Sequence, residues 1–216
     1  MFRQRLVASE RVRMGKALEK RLQEAGVYPD IIIDVPNSAY FFASGLAEKL
    51  QVPYRRGLAK NRFVGRSFIT ANAELRKHVV RQKLNPIRDI VSGRKIAVVD
   101  DSIVRGTTSR HIVNMLKEDG AKEVYFVSAS PPVKYPCIYG IDMSVKKELI
   151  AANNTTEEIA GKLNCEKVIY QTVEGLRDLY RDLPICDACF SGDYPTGITQ
   201  EILDQIEDEK LKSNRM

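Results

Sequence analysis

Several familiar markers are missing from this chain, and each absence removes a class of protein. No apolar run approaches the roughly 18–20 residues that an α-helix needs to cross a bilayer, so a helical membrane protein is excluded. The opening residues Met1-Phe2-Arg3-Gln4-Arg5 lack the apolar core of a secretory signal, and a cytoplasmic location is expected. Only four cysteines occur, and a chain expected in a reducing compartment does not use them as a disulfide framework. Histidine is scarcer still: neither His78 nor His111 stands in a pattern that supports catalysis. There is no internal repeat and no low-complexity segment. The basic excess, 34 Lys and Arg against 28 Asp and Glu, is scattered and mixed with acids. Without a compact basic block or interleaved aromatics it does not mark a nucleic-acid-binding surface. It suits an anionic small ligand, or simply a solvated surface.

What is present is an ordinary globular composition, 44% hydrophobic and 29% charged over 216 residues, long enough for one domain with an appendage. Apolar spacing predicts a helix over residues 9–25, stopped by Gly26. A buried strand over residues 30–35 is bounded by Pro29 and Pro36. A helix over 39–50 and a short strand over 54–58 follow. Residues 60–89 are polar and cationic, and a segment this long between strands reads as a functional lid with some helix. Strands over 95–101 and 123–130 flank a helix from Thr107 to Glu118, and 167–172 is a further strand. Tyr40 and Phe41 read as core or domain-contact residues. The alternation predicts an α/β fold with a mostly parallel sheet flanked by helices. Residues 200–216 form a charged tail, a surface helix or a frayed end.

The most informative stretch runs from Ile96 to Ser109. An apolar strand ends in two adjacent carboxylates, Asp100 and Asp101, and a small turn with one glycine leads into a helix. Such a junction offers backbone N–H groups and a helix N-terminus to an anion. The acidic pair suits sugar hydroxyls or a hard divalent cation. Phosphate and polyol recognition this close together points to a phosphorylated sugar, bound beyond the carboxyl ends of the strands. The plainer reading of the pair is a helix cap or solvated turn. Cys186-Asp187-Ala188-Cys189 is a lone CxxC pair, compatible with a metal, a cluster or a redox couple. Cys137 and Cys165 stand alone.

Asp100-Asp101-Ser102-Ile103-Val104-Arg105-Gly106-Thr107-Thr108 resembles the phosphoribosyl pyrophosphate (PRPP) signature of type I phosphoribosyltransferases. Further segments narrow the likeness to the amidophosphoribosyltransferase family. They are Lys60-Asn61-Arg62-Phe63-Val64-Gly65-Arg66-Ser67-Phe68-Ile69, Tyr139-Gly140-Ile141-Asp142-Met143, Glu148-Leu149-Ile150-Ala151, Val173-Glu174-Gly175-Leu176 and the ending Cys186 to Thr196. The likeness runs from about Val7 to Thr196. The family's N-terminal glutaminase domain has no counterpart here, so a synthase half alone is expected, as a fragment, a split subunit or a truncated frame. The implied layout is a transferase domain over 1–180, a cysteine-containing segment over 181–198 and the tail over 199–216.

The resemblance implies that ammonia displaces pyrophosphate from C1 of PRPP to give 5-phosphoribosylamine, the first step of de novo purine biosynthesis. Asp100 and Asp101 would bind the ribose hydroxyls and share in holding Mg²⁺. Val104, Arg105, Gly106, Thr107 and Thr108 would wrap the 5-phosphate, with Gly106 permitting close approach. Ser38 matches a metal-binding hydroxyl position, although taken singly it reads equally well as a helix N-cap. Lys60, Arg62 and Arg66 would meet the pyrophosphate as the loop closes. Cys137, Cys186 and Cys189 match ligand positions of a [4Fe–4S] cluster that some members carry. The fourth family ligand falls before Met1, and Cys165 reads as a buried small hydrophobe. The family precedent is a homo-oligomer inhibited by purine nucleotides. A non-catalytic PRPP-binding regulator and a transferase acting on a nucleobase are the competing functions.

Overall fold

The computed structural model describes residues 5–60, 84–141, 145–198 and 205. The first helix, α1 (Val7–Glu24), buries Gly15, Leu18 and Leu22 on one stripe, with Glu10 in its first turn and Arg21 in its last. Charges so placed favour the helix dipole. After Gly26, at φ 62°, the chain enters β1 (Ile31–Asp34), whose four residues are all buried. That is the pattern of a parallel strand covered on both faces.

Helix α2 (Tyr40–Leu50) crosses α1 closely and packs on β1. A short antiparallel hairpin follows, β2 (Leu58–Lys60) with β3 (Leu84–Pro86), then the single turn α3 (Arg88–Val91). Strand β4 (Lys95–Asp100) leads to α4 (Thr107–Glu118) and β5 (Glu123–Ser128). Two 3₁₀ turns, Lys146–Glu148 and Ile150–Ala152, precede α5 (Thr156–Leu163). A complete capping box starts α5, with Thr155 and Glu158 satisfying each other's backbone N–H. Strand β6 (Lys167–Tyr170), helix α6 (Val173–Leu179) and the short α7 (Ala188–Ser191) complete the described chain.

The main sheet is parallel in the order β1-β4-β5-β6, the α/β arrangement expected. Its core is built on Ile32, Ile33, Ile96, Val98, Phe126 and Val127, closed by Ile112, Leu116 and Ile159 from the helices. A second, small cluster of Ala188 and Tyr194, packed with Tyr135, Ile138 and Ile198, lies under the cysteine-containing ending.

Three expectations need correction. The strand over 54–58 is only a bridge from Tyr54 to Ile32, and the extended pairing lies later, at Leu58–Lys60. Its partner β3 is separated by 61–83, so no local periodicity announces it. The sheet strands stop at Asp100, Ser128 and Tyr170, one or two residues short of the apolar runs. Tyr40 is not a core residue: it is 40% exposed and stacks edge-on against Phe41 and Tyr54, while Phe42 turns into the core. Cys165 is buried among core residues, as expected. Arg62, Arg66, residues 61–83 of the segment expected as a lid over 60–89, and the tail apart from Gln205 lie outside the described residues.

Candidate active site

Parallel pairing brings the acidic strand ends to one edge of the sheet. Beyond β4 the ladder continues, with the N–H of Ala129 donating to Asp100 (2.9 Å) and that of Ser130 to Asp101 (3.1 Å). Asp100 is 9% exposed, and its Oδ1 accepts the Asp101 N–H at 2.9 Å. Burial, then the Asp101 carboxyl beside it, pushes the Asp100 pKa well above the usual carboxylate range. Asp101 is exposed. Among the described residues neither carboxylate has a cationic partner.

The turn after Asp101 is anchored by Ile103, 1% exposed, and closes at Gly106 in the left-handed region (φ 75°), the N-cap of α4. Among the described residues, no carbonyl or side chain accepts from the N–H groups of residues 102–106. The first N–H groups of α4 lack helical partners by geometry. Exposed Thr107 and Thr108 add two hydroxyls. Free N–H groups ahead of a helix N-terminus form an arrangement that can take an anion.

Gly106 has a further reason to be glycine. A β-carbon there would meet Ile150 Cδ1 at 2.6 Å and Leu163 Cδ2 at 3.1 Å, on the packed side of the turn. Arg105 turns its guanidinium to Glu148, with Nε 2.8 Å and Nη2 2.6 Å from Oε2. Val104 is half-buried, and its carbonyl accepts the Ile150 N–H at 2.9 Å.

Beyond β1 lies the turn of residues 35–39, where a cis peptide bond joins Pro36 to Asn37. Ser38 does not cap α2: the N-cap is Ala39, without a side-chain bond, and no described residue takes the Ser38 hydroxyl. Asp34 is a buried carboxylate missed in the sequence reading. It is 5% exposed, and Tyr54 donates its phenol to Oδ1 at 2.8 Å. A charge closing an otherwise apolar run was the available signal. Lys60 ends β2, exposed, next to the undescribed segment.

Among the described residues, no group of three or more His, Cys, Asp or Glu side chains converges to hold a metal ion. Buried Asp100 with exposed Asp101 beside it nevertheless fits Mg²⁺, which is commonly held by one or two carboxylates plus substrate oxygens. A [4Fe–4S] cluster does not fit. Burial first, and the neighbouring Cys137 next, push the Cys189 thiol up to about 11. A cluster takes four thiolates, and that set is not assembled among the described residues. The nearby Asp187 is instead structural: Arg177 and Ser191 donate to it at 2.6 and 2.9 Å.

A parallel sheet with a phosphate turn and an acidic pair at its carboxyl edge defines a type I phosphoribosyltransferase. The family model of the phosphoribosyl transferase domain matches residues 8–157, and the chain belongs to that family. Within it, the sequence is similar to amidophosphoribosyltransferases. It is 46% identical over 201 residues to that of Bacillus subtilis, covering 90% of this chain and 42% of the other. The relative from Saccharomyces cerevisiae is 47% identical over 184 residues, 84% of this chain and 36% of its own length. The solved glutamine PRPP amidotransferase of B. subtilis, complexed with ADP and GMP, matches with TM-score 0.79 and 44% identity. That match covers 93% of this chain and 45% of the solved one. The chain spans about two fifths of the length of these curated relatives.

Proposed function

We propose that this chain is the phosphoribosyl-transferring half of an amidophosphoribosyltransferase. It joins ammonia to the ribose of PRPP, giving 5-phosphoribosylamine and pyrophosphate, and so opens de novo purine biosynthesis in the cytoplasm. The observation that carries this reading is the turn of free N–H groups placed directly after the Asp100–Asp101 pair. The 42–47% identity to amidophosphoribosyltransferases supports the choice of acceptor.

At C1 a bond to nitrogen forms as the bond to the pyrophosphate oxygen breaks, with inversion, and the ammonium so formed gives up a proton to solvent. The turn of residues 102–108 grips the 5-phosphate and leaves C1 at a fixed distance from the anchor. Asp100 and Asp101 hold the ribose hydroxyls and stabilise positive charge that develops on the ring. Mg²⁺ would be held by Asp100 and Asp101 with the Ser38 hydroxyl, and would neutralise charge on the departing pyrophosphate. Lys60, with Arg62 and Arg66, meets the same pyrophosphate and shields C1 from water.

The reading includes a glutaminase partner as the ammonia source, assembly into a homo-oligomer, and feedback by purine nucleotides. The solved B. subtilis relative binds ADP and GMP, which supports the last of these. The cysteines take no part. The test is pyrophosphate release from PRPP by the 216-residue chain with ammonium and Mg²⁺. Turnover with ammonium but not with glutamine alone is expected. No turnover at high ammonium overturns the reading.

A further inference from the structure

The turn after Asp101 is tied down by the segment around Glu148, Ile150 and Asn154. The Ile150 N–H donates to the Val104 carbonyl at 2.9 Å, and the Ile150 carbonyl in turn accepts from Asn154 Nδ2 at 2.6 Å. Lys162 of α5 donates to Asn154 Oδ1. Ile150 and Leu163 fill the space where a side chain on Gly106 would sit. Glu148 binds the Arg105 guanidinium through both Nε and Nη2. A trans peptide unit points its C=O and N–H in opposite directions. Tying the Val104 carbonyl back to Ile150 therefore aims the N–H of Arg105, in the same peptide unit, at the open side of the turn.

We propose that Glu148, Ile150 and Asn154 are positioning residues for the phosphate turn. They clamp its back so that its amide N–H groups face the 5-phosphate, and Glu148 holds the Arg105 side chain away from that anion. Arg105 then serves through its backbone, and its side chain serves as the clamp's handle. The inference rests on the reading that the turn takes a phosphorylated ribose. Stability alone does not explain the ion pair. Its side chains are 53% and 47% exposed, and pairs of that kind contribute little to folding.

A double-mutant cycle on the full chain decides between clamp and direct grip. PRPP and ribose 5-phosphate binding are measured by calorimetry for Arg105→Ala, Glu148→Ala, the double variant and Asn154→Ala, with melting temperatures alongside. The clamp predicts that each single variant weakens both ligands by about 3–10-fold, and that the Arg105/Glu148 double variant is no weaker than the worse single. Melting temperatures stay unchanged, and Glu148→Gln reproduces Glu148→Ala. In turnover the loss appears in KM for PRPP and not in KM for ammonia. A guanidinium gripping phosphate gives another pattern: Arg105→Ala weakens binding, whereas Glu148→Ala leaves it unchanged or tightens it. That pattern overturns the clamp, as do unchanged affinities throughout. An unaltered chain that binds PRPP but does not turn over ammonia defeats the proposed activity while the binding cycle still decides the clamp. One that binds neither sugar phosphate overturns both.

Discussion

Gly15 of α1 lies against the backbone of Phe42 in α2, where a β-carbon on the glycine would sit 2.0 Å from the Phe42 carbonyl oxygen. Gly45 meets Val12 in the same way, 2.2 Å from its carbonyl oxygen. The two helices thus approach backbone to backbone, and α2 lies on β1 and β4 behind the acidic edge. The contact atoms are main chain and cannot swing aside. Gly15→Ala is expected to lower stability, at the upper end of the about 1–3 kcal/mol typical of overpacking. Urea unfolding followed by circular dichroism measures it, and an unchanged midpoint would contradict the close crossing.

The Tyr54 phenol is the only described donor to Asp34, a buried carboxylate. Tyr54→Phe leaves that carboxylate without its donor, which costs about 1–3 kcal/mol. Replacing both partners by apolar residues, Asp34→Val with Tyr54→Phe, recovers part of the loss. Burial first, then the Asp34 carboxylate, raises the Tyr54 pKa in the fold. A raised folded value means this contribution is complete below the ordinary value of 10.0 and lost as pH rises beyond it. Alkaline unfolding is therefore steeper for the unaltered chain than for Tyr54→Phe, a comparison that parallel melts across that range make directly.

Asp100 is buried at a cost to the fold. Its folded pKa is raised, chiefly by burial, so its protonated form is favoured in the fold. The stability it supplies is present below its unfolded value of 3.8 and is lost as pH rises through the folded value. Ionising this buried group therefore weakens the fold. Asp100→Asn should raise the melting temperature near pH 7, with the gain shrinking as the solution is acidified. PRPP turnover should fall by about 100-fold or more. A destabilised Asparagine variant would show that the carboxylate is compensated after all.

Cys189 and Cys186 share a motif but not an environment. The Cys189 thiol is pushed up to about 11, mainly by burial, whereas Cys186 is exposed. Only the thiolate is alkylated readily. Iodoacetamide at pH 8 is expected to label Cys186 roughly ten times faster than Cys189, as read by peptide mass spectrometry. Equal rates would mean that the ending around Tyr194 opens in solution.

Much of this molecule is legible in its residues taken in order. The apolar runs Ile31–Ile33 and Ile96–Val99 announce strands because burial on both faces demands uninterrupted apolar side chains. Thr107–Glu118 follows a helical repeat that the fold preserves unchanged. The turn after the acid pair is visible because its residues are contiguous: acid pair, glycine and hydroxyls occupy neighbouring positions. Lys60–Leu84 pairing is not visible, since the two strands of that hairpin are separated by 61–83 and each is only three residues long.

Side-chain roles divide along the same line. The sequence by itself determined the family and the alternation of strands and helices, because each is carried by residues adjacent in the chain. Only the tertiary structure decided that Arg105 is turned to Glu148, that Gly106 makes room for Ile150 and Leu163, and that Asp34 is buried beneath Tyr54. Each of these joins residues from 20 to 57 positions apart. Such partners meet only after the strands have paired and the helices have docked, and no local pattern in either segment encodes the meeting.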